Sequence, residues 1–344
     1  MKKLALLLIM GWIPMLTMSQ GCMDDVSADD GVKVFGFIQP QWQYSFEETP
    51  TNSFMFNRAR LGVAGAIPYD FQYYVVLEMS SFFTGNPFLL DAYISYNRYL
   101  FAQGAIGQFK APFSLELQTA CHKLHTVYRS HFLVDLASPL RDLGFMVFGG
   151  NDTTLIKYQV AIMNGTGMNV LDNNAGKDYV GRVLIQPFNG ALSFGGSARY
   201  GLSAPAAAGV EEEDERTRLA GEVRYHTHGF NIQAEFIWGK DVGSFTEGGG
   251  CGGPGEVVVG SKERLGYYGM AYYMFKFGLE PVFKYEYYNK NSATDIVDTQ
   301  SIMTFGLSYF FNDWTRLQIN YLYAAEQDVE VQNDQLVIQF QAQF

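Results

Sequence analysis

Two arginines, Arg58 and Arg60, stand two residues apart in the stretch FNRARLGVAGAI. In an extended chain that spacing projects both guanidinium groups from one face. A planar fork of N–H donors suits an anion with several oxygens, phosphate above all. Lys110 closes the stretch IGQFK, and Lys123, Arg129 and Arg141 follow in the next segment against Glu116, Asp135 and Asp142. Weak anion binding at several points in series is the chemistry expected of such a set. The same segment holds CHKLH, which brings Cys121, His122 and His125 close enough in sequence to suggest a metal site. No second cluster completes a coordination shell, so histidines lining a wet surface are expected there rather than a metal. Catalysis finds no support either: no G-x-S-x-G, P-loop or H-E-x-x-H occurs, and neither an enzyme nor a cofactor is expected.

The elements that must position these residues are strands. The chain ends in QLVIQFQAQF, where Leu336, Ile338, Phe340, Ala342 and Phe344 alternate with Gln335, Val337, Gln339, Gln341 and Gln343. Alternation of this kind reads as a strand with one apolar and one wet face, and its length is about that of a tilted strand crossing a bilayer, ~9–11 residues. Similar segments recur at Lys33–Phe46, Ser53–Ile67, Asp70–Ser80, Leu89–Asn97, Phe101–Lys110, Leu143–Gly150, Thr154–Asn164 and Asp178–Pro187. They continue at Ala191–Leu202, Arg216–His226, Phe230–Lys240, Arg264–Phe275, Leu279–Tyr288, Ser301–Phe311, Trp314–Ala324 and Gln335–Phe344, about sixteen strands in all by the barrel pattern. Short links at Pro68–Asp70, Phe188–Gly190, Lys276–Gly278 and Asn312–Asp313 take turns with long ones at Ala111–Asp142, Gly165–Lys177, Ser203–Glu215 and Asp241–Glu263. This predicts an all-β chain, a transmembrane antiparallel up-and-down β-barrel with short periplasmic turns and long extracellular loops.

Composition agrees with that architecture. Mean hydropathy is -0.05, aromatics make up 16% and charged residues 17%, below the ~25% usual for soluble domains. Aromatics gather on the apolar face, as Trp42, Tyr44 and Phe46, as Phe236 and Trp238, and as Tyr309 and Phe311, the pattern of girdles at headgroup level. The net charge of -11 resides largely in Asp24, Asp25, Asp29, Asp30, Glu47, Glu48 and the run Glu211–Glu215, all expected in termini and loops. No nucleic-acid partner is expected.

Facing assigned strand by strand turns Arg58, Arg60, Lys157, Arg182, Arg199, Arg218, Arg224, Arg264, Lys284 and Arg316 inward. The acids Asp70, Glu78, Asp91, Glu222, Glu235, Glu280 and Glu286 turn inward with them. Inward bases outnumber inward acids, so the lumen is expected to be mildly basic although the chain is acidic. Arg58, Arg60, Lys110, Lys123, Arg129, Arg141, Arg182, Arg199, Arg218 and Arg224 are the expected pore-lining and anion-binding residues. For any one of them, pairing with an acid to brace the wall is the competing expectation.

The N-terminus MKKLALLLIMGWIPMLTMSQGC places Lys2 and Lys3 before an apolar run and then small residues, the layout of a secretory signal. Residues 1–28 are therefore expected to be a signal peptide and N-terminal segment, with cleavage between 21 and 28, and 29–344 a single barrel domain. Cleavage after Gly21 would make Cys22 a lipidation site. Cys121 and Cys251, both on the long-loop side, are a candidate disulfide in an oxidising compartment.

Several stretches resemble the porin O/P family, the phosphate-selective outer-membrane porins. They run from NRARLGVAG at Asn57 through LLDAYISYN at Leu89, IGQFKAPFSLE at Ile106 and RSHFLVDLASPLRDLGFMVFG at Arg129. YQVAIMNGTGMNVLDNNAGKDYVGRV at Tyr158 and FGLSYFFNDWTRLQINY at Phe305 complete them, so that the likeness covers most of the mature chain. Two departures stand out: Tyr128 where the family carries an acid before Arg-Ser, and Asn57-Arg58-Ala59-Arg60 where it often carries adjacent bases. The resemblance implies an integral protein of the Gram-negative outer membrane and a homotrimer of sixteen-stranded barrels, surrounded by outer-membrane lipids. It also implies a third loop folded into the lumen and passive diffusion of small anions, with phosphate leading. The terminal Phe344 resembles the signal read by the barrel-assembly machinery. A broad-specificity porin and a plugged or structural barrel receptor are the alternative expectations.

Overall fold

The computed structural model describes residues 31–344 apart from 48, 81–85, 206–212, 248–255, 293–298 and 327–331. Sixteen strands close into one antiparallel barrel in sequence order, with β1 (Val32–Ser45) against β16 (Gln335–Gln343). The others are β2 (Thr51–Ile67), β3 (Phe71–Glu78), β4 (Phe88–Tyr99), β5 (Ala102–Lys110), β6 (Arg141–Gly149), β7 (Ile156–Met163) and β8 (Asp178–Ile185). The circuit continues with β9 (Leu192–Ser203), β10 (Asp214–Thr227), β11 (Phe230–Glu247), β12 (Glu256–Tyr273), β13 (Leu279–Asn289), β14 (Thr299–Asn312) and β15 (Thr315–Glu326). Closure matters because hydrocarbon offers no partner for a backbone amide, so an open sheet edge would leave a row of unsatisfied groups there. The seam is completed at the last residue, where Phe344 and Gly36 exchange N–H···O bonds of 2.9 Å in both directions.

Outward residues such as Leu61, Ile94, Ile106, Phe145, Ile162, Tyr179 and Val183 are exposed, and their strand neighbours are buried inside. The apolar surface therefore faces out, as a lipid solvent demands. Tight links at one rim are made by backbone that reverses sharply, as at Tyr69 (φ 72) and Asp70 (φ 67). Asp70 belongs to this turn and is exposed, so it is not the inward wall acid that alternation predicted; the strand has already ended at Ile67.

A second departure lies at the tallest hairpin. The segment 241–263 was expected as a long loop, whereas β11 runs to Glu247 and β12 starts at Glu256 in unbroken register. DVGSFTE and EVVVGSKE extend the ladder because β-branched residues favour the pleated conformation even where charges interrupt the apolar alternation.

The long third loop, 111–140, turns inward. It forms a short helix α1 (Leu115–Gln118), a 3-10 turn at Cys121–Lys123 and a second helix α2 (His131–Leu136). Its apolar residues Phe113, Leu117, Phe132, Leu133 and Leu136 are fully buried, packed with Tyr93, Phe109, Met146, Met163 and Tyr268 of the wall. The core of the protein thus lies inside the barrel, between loop and wall. Glycines make room for it: a Cβ at Gly266 would stand 2.4 Å from the Phe132 ring, and one at Gly239 would stand 2.9 Å from Leu136.

Candidate functional site

The third loop reaches the inward faces of β1, β2, β9 to β13, β15 and β16, and the charges it meets differ sharply from side to side. On β2, alternation turns Arg58 and Arg60 inward as expected, and the loop brings Cys121 beneath them. Cys121 Sγ accepts from Arg60 Nη1 at 2.9 Å and from Arg129 Nη1 at 3.3 Å. Arg60 also pairs with Glu78 at 2.8 Å and lies over the Phe37 ring at 5.6 Å. Arg58 donates to the amide oxygen of Gln39 at 2.9 Å and, among the described residues, has no carboxylate in ion-pair contact. Lys110, at the mouth of β5, donates to the Leu117 carbonyl at 3.1 Å, and Arg129 donates to the carbonyls of Glu116 and Thr119 at 2.9 and 2.7 Å.

Four cations therefore gather around one sulfur. Burial alone opposes ionisation of the Cys121 thiol, but the charges of Arg129, Arg60, Arg58 and Lys110 outweigh it and hold the thiol well below its ordinary range. The cluster is edged by neutral amides at the barrel seam. Gln39 donates to Gln341 at 2.7 Å, Asn57 to Gln339 at 2.7 Å and Gln43 to Gln335 at 3.1 Å. Tyr128 ties the loop to this seam: its hydroxyl accepts from Gln41 at 2.5 Å and donates to Gln43 at 2.9 Å. Burial pushes the Tyr128 phenol up, so it stays protonated and neutral beside Arg58.

The opposite wall is charge-balanced. Arg182 makes a two-point contact with Glu222 at 2.9 and 2.6 Å, and Arg141, which lies across from Lys110 on the β5–β6 ladder, does the same with Asp91 at 3.0 and 3.2 Å. Arg199 donates to the loop carbonyls of Ala137 and Pro139 at 2.9 and 3.0 Å. Arg218 donates to the Leu136 carbonyl at 2.9 Å and pairs with Asp241. Arg264 pairs with both Asp135 and Asp241, and Lys284 holds Glu116 at 2.7 Å. The start of α1 is fixed by Glu235, whose carboxylate accepts the N–H groups of Leu115 and Glu116 at 2.9 and 3.1 Å, while Ser114 caps the helix.

Of the ten expected pore residues, the structure brings Arg58, Arg60, Lys110 and Arg129 together. Arg141, Arg182, Arg199 and Arg218 are engaged with carboxylates or loop carbonyls elsewhere. Lys123 sits half-buried in the 3-10 turn, and Arg224 lies nearer the short-turn rim on β10. The histidines do not converge: His125 bonds Glu280 at 3.1 Å and stacks on Tyr272 at 3.7 Å, whereas His122 packs against Phe37. No metal-holding group of His, Cys, Asp and Glu occurs among the described residues. Cys121 is a free thiol, and Cys251 lies outside the described residues, as do the signal segment and Cys22. Sequence reasoning missed the place of Cys121, since its neighbour Arg60 is 61 positions away.

The description "phosphate-selective porin O and P" matches residues 39–344. The chain belongs to the porin O and P family. Membership together with the closed sixteen-strand barrel makes it an integral outer-membrane protein. Among curated proteins, none matches the chain. Solved porins share the fold at low identity. An anion-selective porin from Comamonas acidovorans superposes with a TM-score of 0.67 at 13% identity, over 91% of this chain and 99% of that one. Salmonella typhi OmpF in complex with daunomycin gives 0.66 at 13% identity, over 91% and 97%. The trimer form of OmpT, an outer-membrane protein of Vibrio cholerae, gives 0.64 at 12% identity, over 91% and 99%.

Proposed function

We propose that this porin is a passive channel for small anions, phosphate foremost, and that Arg58, Arg60, Lys110 and Arg129 form its filter. The observation that carries this reading is the inward cluster itself: four cations gathered where the loop meets the wall, with Glu78 paired to Arg60. Guanidinium groups offer paired donors to phosphate oxygens, and in a narrow, partly dehydrated lumen they are screened less than surface charges beyond a Debye length of ~8 Å. Other bases, Arg224 on the wall and Lys123 in the loop among them, add weaker steps along the path, which lets an anion enter without being trapped. The breadth of the loop's wall contacts favours a narrow aperture over that of a broad-specificity porin. A channel rather than a catalyst is what family and fold support.

Planar-bilayer recordings test this. In a salt gradient the wild-type reversal potential should report anion preference. Replacing Arg58, Arg60 and Lys110 together with Gln should lower the chloride-to-potassium permeability ratio severalfold and remove any block of chloride current by inorganic phosphate. A wild-type channel that prefers potassium would overturn the reading, with the acidic loops then setting the field at the mouth.

The rest of the biology is proposed on the same footing: residues 1–28 as a secretion signal and N-terminal segment, a homotrimer, a belt of outer-membrane lipid, and recognition of the last strand by the barrel-assembly machinery. Phe344 is suited to that recognition, because its ring covers Gly36 of β1 and its backbone completes the seam. Deleting Phe344 should depress the yield of heat-modifiable barrel; an undiminished yield would remove its assembly role.

A further inference from the structure

The filter contains an acceptor that no carboxylate or amide accounts for. Cys121 Sγ takes one hydrogen bond from Arg60 at 2.9 Å and another from Arg129 at 3.3 Å, the donors that an entering phosphate would need. Those two guanidinium groups come from different parts of the chain, one from β2 and one from the loop, and both donate to the sulfur. The loop fixes the sulfur in place: the 3-10 turn Cys121–Lys123 is closed by the Lys123 N–H bond to the Ala120 carbonyl at 2.9 Å, and Cys121 itself is buried. Arg129 in turn is held by the carbonyls of Glu116 and Thr119.

We propose that Cys121 is the filter's resident anion: its sulfur occupies the Arg60 and Arg129 donors in the resting channel, and a permeating anion must displace it. This rests on the reading of the cluster as the anion filter and makes Cys121 the residue that sets how tightly the filter holds its substrate. A filter of four bare cations would bind a multivalent oxyanion tightly and release it slowly. A built-in competitor weakens that binding without removing a single base, which is the balance that conduction requires. The facing cations favour the charged sulfur, consistent with its role as a counter-charge.

Among the described residues, the charges acting on the sulfur are Arg58 and Arg60 on β2, Lys110 on β5 and Arg129 in the loop, with Glu78 on β3 paired to Arg60 and Tyr128 beside Arg58. Of the acids, the thiol and Glu78 set the titration of the filter. Protonating either one removes a negative charge and strengthens anion binding, but only the thiol's contribution vanishes in a cysteine variant.

The test measures half-block of chloride current by inorganic sulfate, an anion whose own charge stays fixed over the working pH range. Cys121→Ser keeps a hydrogen-bond acceptor but is neutral, and it should lower the half-blocking concentration at least tenfold at neutral pH, since removing a like unit charge within about 12 Å at an effective dielectric of ~20 is worth that much or more. Cys121→Ala should do the same, and Cys121→Asp should keep the weak wild-type block. In the wild type the half-blocking concentration should fall as pH is lowered through the thiol's titration, and Cys121→Ser should lack that step. This wild-type measurement stands even where a variant fails to give heat-modifiable barrel. Unchanged or weaker block in Cys121→Ser, or a wild-type profile with the same pH course as the variant, would overturn the proposal. If instead the Arg58, Arg60 and Lys110 triple variant keeps its anion preference, the filter reading itself fails, whatever Cys121 does.

Discussion

The wall formed by β8 to β13 and the wall formed by β1, β2 and the mouth of β5 are both rich in inward bases, yet they use them in opposite ways. On the first, Arg182, Arg199, Arg218, Arg264 and Lys284 end on carboxylates or on carbonyls of the third loop. On the second, Arg58 and Arg60 face amides, a sulfur and Glu78, joined by Arg129 and Lys110. The difference follows from what each wall must hold. α2 and the start of α1 present many unsatisfied backbone groups to β9–β13, and a buried helix end needs partners for them. Charged side chains supply those partners, and their charge is balanced separately by carboxylates: Asp178 for Arg199, Asp241 for Arg218 and Arg264, and Glu116 for Lys284. Beside β2, Arg129 and Lys110 donate to the carbonyls of Glu116, Leu117 and Thr119 along α1 and its C-terminal cap, and the 3-10 turn that follows sets the Cys121 sulfur among the cations.

This contrast is broken most directly on the anchored side. Glu222 is the carboxylate that meets Arg182 inside the barrel, with both side chains almost fully shielded. Glu222→Ala should leave a buried guanidinium without its partner and cost about 3–5 kcal/mol, the range for removing one member of a buried pair. The readout is the temperature at which the folded band disappears in a heat-modifiability series, which should fall well below wild type. Arg58→Gln, on the other wall, should change that temperature little, because the side chain's hydrogen bond is to the neutral amide of Gln39; about 1 kcal/mol is the scale of a single hydrogen bond. Ion selectivity should respond in the reverse order. Equal stability losses at both positions would mean that the two walls do the same structural task.

The barrel was legible because a bilayer imposes strict period-two alternation on every strand, and all sixteen segments were found in the expected order. Register over the membrane was readable for the same reason: Arg58 and Arg60 had to share the inner face once Leu61 faced out. Where the lipid constraint ends, the reading weakened. The upper parts of β11 and β12 stand where polar and apolar residues need not alternate, so their ladder passed for loop, and Asp70 passed for wall when it was turn. The site was half legible. That Arg58, Arg60, Lys110 and Arg129 face the lumen followed from facing and from the loop's expected inward fold. Which bases are neutralised did not, because Arg182 meets Glu222 two strands and 40 residues away, and Arg199 meets carbonyls of a loop 62 residues away. Such pairings depend on how the loop docks, and docking is set by Phe132 fitting against Gly266 and Leu136 against Gly239, a shape relation with no periodic signature.

The smallest effect, and the one that most sharpens the comparison, concerns the hinge between the two walls. Tyr128 sits where the loop leaves the cation cluster and meets the amide seam, and its hydroxyl both accepts from Gln41 and donates to Gln43. The ring also packs on the apolar patch of Val127, Ile302, Leu322, Ala324 and Val337. Tyr128→Phe keeps that packing and removes two hydrogen bonds to side-chain amides, each worth about 0.5–1.5 kcal/mol, and should leave the barrel intact. No charge changes, since the phenol is neutral beside Arg58, and the chloride-to-potassium ratio should stay at its wild-type value. What should change is the steadiness of the open channel, because the loop tip loses its side-chain tie to β1 while keeping the Val127 N–H bond to Asn320 on β15 at 2.7 Å. Single-channel recordings should show increased open-state noise at unaltered selectivity. A shift in selectivity instead would show that Tyr128 helps shape the filter as well as tether it, and the line between a wall that anchors and a wall that selects would have to be redrawn to run through this residue.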